Sequence, residues 1–172
     1  MGARMLDAVA REIENNRAQV VGFGQAGDPD EILEGLNDVV ASYRAGRPVG
    51  DAAVTWDVNL LSSAAWETAQ LTRATQYMDL QRVLDLAEVY ELQAFYRTTQ
   101  AGLVGLIPTV EARMEGDSLG TFLELRSRFA NALAIRRMLA TIYACALQEM
   151  DATDSLQPED CPDAGAEEGD EG

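Results

Sequence analysis

The stretch from Ser62 to Arg97 constrains the fold of this chain most, because two helical patterns meet there at a capping residue, Asp79. After Asp79, polar residues recur every three or four positions, which predicts one solvated stripe on a helix. The remaining positions up to Tyr96 are mostly apolar and cover well over half of the helix circumference. We therefore expect this helix to lie in the middle of a helical bundle.

A shorter helix is predicted just before it. Ser62 or Ser63 can accept a hydrogen bond from the free N–H groups of the next turn, and small residues follow at Ala65 and Ala69. Small residues allow two helices to approach closely, so Trp66 is expected to fill the adjacent gap as a buried anchor.

Apolar periodicity and capping signals along the whole chain predict an all-α fold, a mostly antiparallel bundle of about five helices. The predicted helices are 3–21, 29–45, 62–76, 80–114 and 118–150. Residues 1–150 form the predicted bundle domain. Residues 151–172 form a predicted disordered acidic tail, since they have high charge and no periodicity. A kink or break is expected just before Pro108, because proline lacks an N–H and its ring collides with the carbonyl four residues back.

Two stretches between the predicted helices carry patterns of their own. Residues 47–59 alternate like a strand but are too short to form a sheet alone, so they predict an extended connector anchored by Trp56. Residues 22–27, GFGQAG, match the glycine spacing of dinucleotide-binding loops. Those loops need a strand before them, whereas a helix leads in here, so a flexible interhelix loop is the better interpretation.

The charge of the chain is strongly and unevenly negative. The formal net charge is -16, and nine of the 29 acidic residues lie in residues 151–172, which hold no basic residue. The rest of the chain carries 20 acidic residues against 13 arginines. A negative surface repels phosphate backbones and anionic lipid, so we expect neither nucleic-acid binding nor direct membrane contact.

The composition also restricts catalysis, because the chain contains no histidine. Imidazole bases, Ser-His triads and His-ligated haem or di-iron sites are therefore excluded. Paired acids at Glu12 and Glu14, and at Glu88 and Glu91, are interpreted as salt-bridged surface rather than as acid-base groups or a cation site. Asn16 lies near the apolar stripe, where it could make a specific buried hydrogen bond, but a partly exposed position near a helix end is the commoner case. We predict no catalytic residue, no metal ligand and no cofactor.

Two groups of residues remain as candidates for an interaction site or pocket. One is aromatic and the other is a basic patch that could clamp an anionic ligand or an acidic partner, although such arginines more often neutralise acids on neighbouring helices. The candidates are Trp56, Trp66, Tyr90, Arg126, Arg128, Arg136 and Arg137.

The cysteines and the apolar runs bear on localisation. Cys145 lies in a helical pattern and Cys161 in the tail, so free thiols in a reducing compartment are expected. The chain shows neither an apolar run of about 18 residues nor a leader pattern. We expect a cytoplasmic protein.

Residues 10–97 contain three motifs in order: E-I-x-x-N, Ser/Thr-x-A-W-x-x-A and Tyr-x-x-Q. The matching positions are Glu12, Ile13, Asn16, Ala65, Trp66, Ala69, Tyr90 and Gln93. This order resembles an uncharacterised family of bacterial helical proteins. The resemblance implies no activity, but members often carry a transmembrane helix just before the first motif. This chain begins almost at that motif, so it is expected to be either a soluble relative or one whose anchor is missing.

Amphipathic helices without a catalytic constellation favour a non-enzymatic interaction module that self-associates or binds a protein partner. The alternative is a small-ligand-binding or enzymatic bundle that uses Trp66, Tyr90 and the arginines of residues 126–137. A pocket beside the two aromatic residues would favour that alternative.

Overall fold

The computed structural model describes residues 2–22, 28–47, 58–113 and 118–151, and all regular structure within these ranges is helical. The elements are α1 (Gly2–Val21), α2 (Pro29–Arg44), α3 (Ala64–Leu71), a 3₁₀ helix (Ala74–Tyr77), α4 (Leu80–Arg113) and α5 (Ser118–Asp151). The predicted all-α fold is confirmed. The predictions for the tail beyond Asp151 and for the connector at Trp56 lie outside the described residues.

The helix that the others surround is α5, which contacts α1, α2 and α4. Successive contacts show that α4 runs antiparallel to α5: Gln93 meets Tyr143, and Gly102, further along α4, lies beside Arg128. The prediction that α4 occupies the middle is wrong. Phe95 occupies one of the apolar positions of α4 but is 55% exposed, because α5 and α3 cover only part of the circumference of α4.

Helices α1 and α2 lie one after the other along α5. Arg136 of α5 binds carbonyls at the end of α1, and its neighbour Arg137 binds Asp30 at the start of α2. Further along α2, Asn37 meets the earlier α5 residue Arg126, so α2 also runs antiparallel to α5.

Most helices begin and end where capping residues in the nearby sequence predict. Asp28 precedes Pro29 and accepts a hydrogen bond from the N–H of Asp30, 2.9 Å away, as a capping residue should. Asp79 caps α4 in the same way through the N–H of Gln81. The predicted helix 62–76 is instead two elements, because Arg73 adopts a left-handed conformation with φ 55° and ends the α-helical path.

The helix does not break at Pro108, since α4 continues to Arg113. The kink expected there as the alternative stays a prediction. The long α4–α5 hairpin carries two apolar clusters at its two ends. One cluster lies between α1, α3, the first half of α4 and the second half of α5, and includes Ile13, Trp66 and Leu139. The other lies where α2 covers the remaining halves, and includes Leu36 and Leu125.

Candidate functional site

A polar cluster that is buried except at Ser62 joins α1, the segment before α3, α4 and α5 beside the first apolar cluster. Its side chains are linked by hydrogen bonds, and its members are Glu12, Asn16, Ser62, Tyr90, Gln93 and Tyr143. A buried polar group is costly unless its hydrogen bonds are made, so this cluster specifies one relative position of four chain segments.

Glu12 is the charged member of the polar cluster and is only 8% exposed. One carboxylate oxygen accepts hydrogen bonds from the Ser62 hydroxyl at 2.6 Å and the Ala65 N–H at 2.9 Å. The other accepts from the Tyr90 hydroxyl at 2.7 Å and, at 3.5 Å, from the Trp66 N–H. Glu12 of α1 therefore caps the first turn of α3, where a negative charge is favoured by the free N–H groups.

Asn16, one turn after Glu12, both donates to and accepts from the backbone of Ser62. Its Oδ1 accepts from the Ser62 N–H at 2.9 Å, and its Nδ2 donates to the Ser62 carbonyl at 2.7 Å. Gln93 donates to the same carbonyl at 2.9 Å, while its Oε1 accepts from Asn16 at 3.0 Å and from the Tyr143 hydroxyl at 2.5 Å. The amide pair thus fixes the chain just before α3 against α1, α4 and α5.

A second amide on α4 extends this attachment. Gln100, seven residues after Gln93 and on the same helix face, accepts from the Asn59 N–H at 3.2 Å and donates to the Asn59 carbonyl at 3.4 Å. The Asn59 side chain donates to the Tyr96 hydroxyl at 2.9 Å. The non-helical segment 59–62 is thereby held along α4 by side chains in place of a strand partner.

Trp66 is buried, as predicted, and stacks on Tyr90. The ring centroids lie 5.5 Å apart and the planes differ by 4°. Each ring covers a face of the other, so this pair is part of the core and attaches α3 to α4.

The electrostatics of the polar cluster follow from its burial and hydrogen bonds. Burial by itself raises the pKa of Glu12, but the hydrogen bonds from Ser62, Ala65, Tyr90 and Trp66 together bring that pKa below its usual value. Burial, together with the bond to Glu12 and its negative charge, raises the pKa of Tyr90 far above its usual value. At neutral pH the cluster therefore contains one carboxylate and a neutral phenol that donates to it.

The sequence interpretation of two of these residues was wrong. Glu12 was expected on the surface and Asn16 in a partly exposed position, with a buried hydrogen bond as the alternative for Asn16. Both are buried, because their partners lie 46 or more residues away in the sequence. The signal that could have found them is their position beside the apolar stripe of Val9, Ile13 and Val20. Glu14, Glu88 and Glu91 are exposed, as expected.

Comparison of the chain with protein-family models, curated proteins and solved structures finds no match. The site is therefore interpreted from its own geometry. The three motifs noted in the sequence converge on one place, since Glu12, Asn16, Trp66, Tyr90 and Gln93 all lie in or against the polar cluster.

The four candidate arginines of α5 do not act as one patch, because each is engaged with a different protein group. Arg128 forms an exposed ion pair with Glu124 at 2.8 Å, and the Arg126 and Arg137 contacts reach α2. Arg136 is 7% exposed and donates to the carbonyls of Val20 and Gly22, both at 2.6 Å. It places a positive charge at the C-terminus of α1, where a cation is stabilising.

Two grooves are lined by described residues, and neither includes Trp66 or Tyr90. The larger, of about 1000 Å³, lies between α4 and residues 58–61; the smaller, of about 300 Å³, lies between α1 and α5. Trp56 lies outside the described residues. Within the described ranges, no group of three or more cysteine, aspartate or glutamate side chains is arranged to hold a metal ion.

Cys145 is disulfide-bonded, so the expectation of a free thiol at this position is wrong. Among the described residues, no helix is both long enough and apolar enough to cross a membrane.

Proposed function

We propose that this protein is a non-enzymatic helical interaction module that associates with a second copy of itself through an apolar corner. The corner consists of Leu71, Tyr77, Leu80 and Leu84, at the end of α3, in the 3₁₀ helix and at the start of α4. These side chains are 85%, 65%, 72% and 50% exposed, respectively. This observation carries the proposal, because large apolar side chains that are close in the chain and exposed to water gain free energy when a partner covers them.

The polar chemistry of the described core supports a structural rather than a catalytic role. The carboxylate of Glu12 and both atoms of the Gln93 amide are occupied by neighbouring protein groups. The two described grooves do not support the alternative of a ligand-binding or enzymatic bundle at Trp66 and Tyr90, because the stacked rings line neither of them.

Self-association through the corner should depend on salt. Two copies that each carry a net charge of -16 repel one another at low ionic strength. Asp79 lies within the corner's own stretch of chain, and Asp85 directly follows it. Salt screens this repulsion and strengthens apolar burial, so we expect a dimer that tightens as salt is added.

Sedimentation equilibrium of the full chain over a range of concentrations, at low and moderate salt, tests the proposal. We expect a reversible dimer that Leu80→Glu abolishes. Met138→Glu is the matched control, since Met138 is 52% exposed but lies on α5, away from the corner in the chain. Thermal melts establish that both variants fold. A wild-type chain that stays monomeric at millimolar concentration, or equal effects of the two substitutions, would overturn the proposal.

We also propose that the chain belongs to the bacterial helical family that it resembles, supported by the convergence of the motif residues on the polar cluster. A cytoplasmic location remains our proposal as well, supported by the acidic composition. The disulfide at Cys145 counts against it, because reducing compartments disfavour such bonds.

A further inference from the structure

The larger groove runs along the same helix, α4, whose first turns carry two residues of the apolar corner. Ala94, Ala101 and Val104 line the groove from α4, and Val58 and Leu60 line it from the segment before α3. Leu60 is 79% exposed and Val58 is 53% exposed. The groove is therefore open to water and has apolar walls, and such a surface gains free energy when another protein surface covers it.

The corner and the groove face the same way on α4. Four exposed residues recur at intervals of seven, which is almost two turns of an α-helix: Leu84, Glu91, Thr98 and Gly105. Leu84 belongs to the corner, whereas Thr98 and Gly105 line the groove. One exposed stripe of α4 thus carries a large apolar side chain at one end and the groove at the other.

We propose that two copies of the chain pair through antiparallel α4 helices, so that the corner of each copy fills the α4 groove of the other. This inference rests on the proposed self-association and names the surface that receives the corner. A two-fold axis that crosses α4 near Glu91, midway between residues 80–84 and 94–105, produces both contacts at once. In a parallel pair the two corners would face one another, and both grooves would stay open.

The size of the lining residues favours the antiparallel pair. Apart from Arg97 and Gln100, the α4 side of the groove consists of alanine, threonine, valine and glycine residues. At Gly105, an added Cβ atom would meet no other atom within 4 Å. The groove therefore has room for the leucine and tyrosine side chains of the corner.

Charge also favours a second copy as the occupant. Arg97 is the charged residue in the lining of the groove, and Asp79 is an exposed acid in the corner's own stretch of chain. Among the described residues, the ion pairs involve Arg128 and Arg137, so Arg97 is available to an acid of another molecule. The antiparallel pair brings the corner that contains Asp79 to the groove that contains Arg97, twice per dimer.

Glu91 should limit the strength of the pair. The two-fold axis passes beside this exposed residue, so the carboxylates of the two copies approach one another there and repel. Association through the corner alone, against some other surface, would not depend on Glu91 in particular.

Filling the groove tests which surface receives the corner. We expect Gly105→Leu to raise the Kd of the dimer at least about tenfold in sedimentation equilibrium, because its side chain occupies the space that the corner needs. Its Tm should not fall, since the groove is open at Gly105 and leucine favours a helix more than glycine does. Gly35→Leu is the matched control: Gly35 lies on α2, is exposed, and also has no atom within 4 Å of an added Cβ. It should leave the Kd unchanged.

Removing the charge at the axis tests the antiparallel arrangement. We expect Glu91→Gln to lower the Kd several-fold at low salt, and this gain should shrink as salt screens the repulsion. Glu14→Gln removes the same charge from the exposed side of α1 and should change the Kd much less.

The outcomes separate this inference from the proposed function. A wild-type dimer that Leu80→Glu abolishes, but in which Gly105→Leu and Gly35→Leu behave alike, would show that the corner binds another surface, and the inference alone would fail. Equal effects of Glu91→Gln and Glu14→Gln would overturn the antiparallel pairing. A lowered Tm of Gly105→Leu would show that the groove is not open, and a wild-type chain that stays monomeric would overturn the inference and the proposed function together.

Discussion

Glu12 is the residue on which the attachment of α3 depends most directly. Its carboxylate accepts four hydrogen bonds from three parts of the chain, and two of the donors are backbone N–H groups of the first turn of α3. Ser63 at the N-cap makes no capping hydrogen bond, and the neighbouring Ser62 hydroxyl accepts only from the Ala64 N–H, at 3.3 Å. The carboxylate of Glu12, which lies far from α3 in the sequence, thus takes the place of a local N-cap residue.

Glu12→Gln should therefore be strongly destabilising. The substitution keeps the shape of the side chain but replaces one acceptor oxygen by an NH₂ group. The N–H and O–H donors around that position then lose their hydrogen-bond acceptor. We expect a loss of about 3 kcal/mol in the free energy of unfolding, measured by urea denaturation. Glu14→Gln, two residues along on the exposed side of α1, should change it by less than about 0.5 kcal/mol. Similar losses in the two variants would contradict the capping role.

The pH dependence of stability gives a second test of Glu12. Its pKa is lower in the folded protein than in the unfolded chain, so the unfolded chain binds the proton more readily. The stabilisation is present above the unfolded pKa, near about 4.3, and is lost as the pH falls through the folded pKa. We expect the difference in unfolding free energy between wild type and Glu12→Gln to shrink as the pH falls below about 5 and through the lowered folded pKa. The difference for Glu14→Gln should stay flat, and a constant difference for Glu12→Gln would argue against an ionised Glu12.

At the scale of the elements, α3 depends on its neighbours because eight residues are too few for a stable isolated helix. Trp66 is 5% exposed and provides the aromatic contact between α3 and α4. Trp66→Ala should cost about 3 to 5 kcal/mol, since it removes the indole and leaves a cavity. Urea melts measure this loss, and a value below about 1 kcal/mol would mean that the site collapses or that the indole is not in the core.

The junction of α1 and α2 on α5 depends on two adjacent arginines in different environments. Arg136→Met removes a buried cation from the carbonyls of Val20 and Gly22, and should cost about 2 to 3 kcal/mol. Arg137→Met removes an ion pair with Asp30 whose side chains are both 60% exposed, and should cost less than about 1 kcal/mol. Urea melts compare the two variants. Hydrogen exchange should show faster opening of the last turn of α1 only in Arg136→Met.

At the scale of the whole molecule, the two apolar clusters share the α4–α5 hairpin but hold different helices. Leu125 packs with Leu36 of α2 in one cluster, and Leu139 packs with Ile13 of α1 in the other. Both leucines are buried, so either Leu→Ala substitution should cost about 2 to 5 kcal/mol. The consequences should nevertheless differ in location, because helices α1 and α2 are attached to opposite halves of α5.

Native-state hydrogen exchange measures this difference. We expect Leu125→Ala to speed exchange mainly in α2 and in the first half of α5, and Leu139→Ala to speed it mainly in α1 and α3. Uniform acceleration over all helices in both variants would show instead that the bundle opens as one cooperative unit.

The sequence by itself determined the elements of this protein, because their signals act over a few residues. The spacing of Val9, Ile13 and Val20 defines a helix face, and Asp28 and Asp79 cap helices through N–H groups two residues away. Bounds of the long helices were therefore predictable to within two residues. The exception is the end of α3, where the left-handed conformation of Arg73 has no glycine to signal it.

Only the tertiary structure decided which polar residues are buried and which helix is central. Glu12 and Asn16 look like surface residues within α1, and their burial is favourable only because Ser62, Tyr90 and Gln93 arrive from distant parts of the chain. Likewise, the apolar positions of α4 form a wider face than the neighbouring helices cover, and Leu84 and Phe95 are therefore exposed. Local periodicity measures how apolar a face is, whereas burial depends on which other segments pack against it.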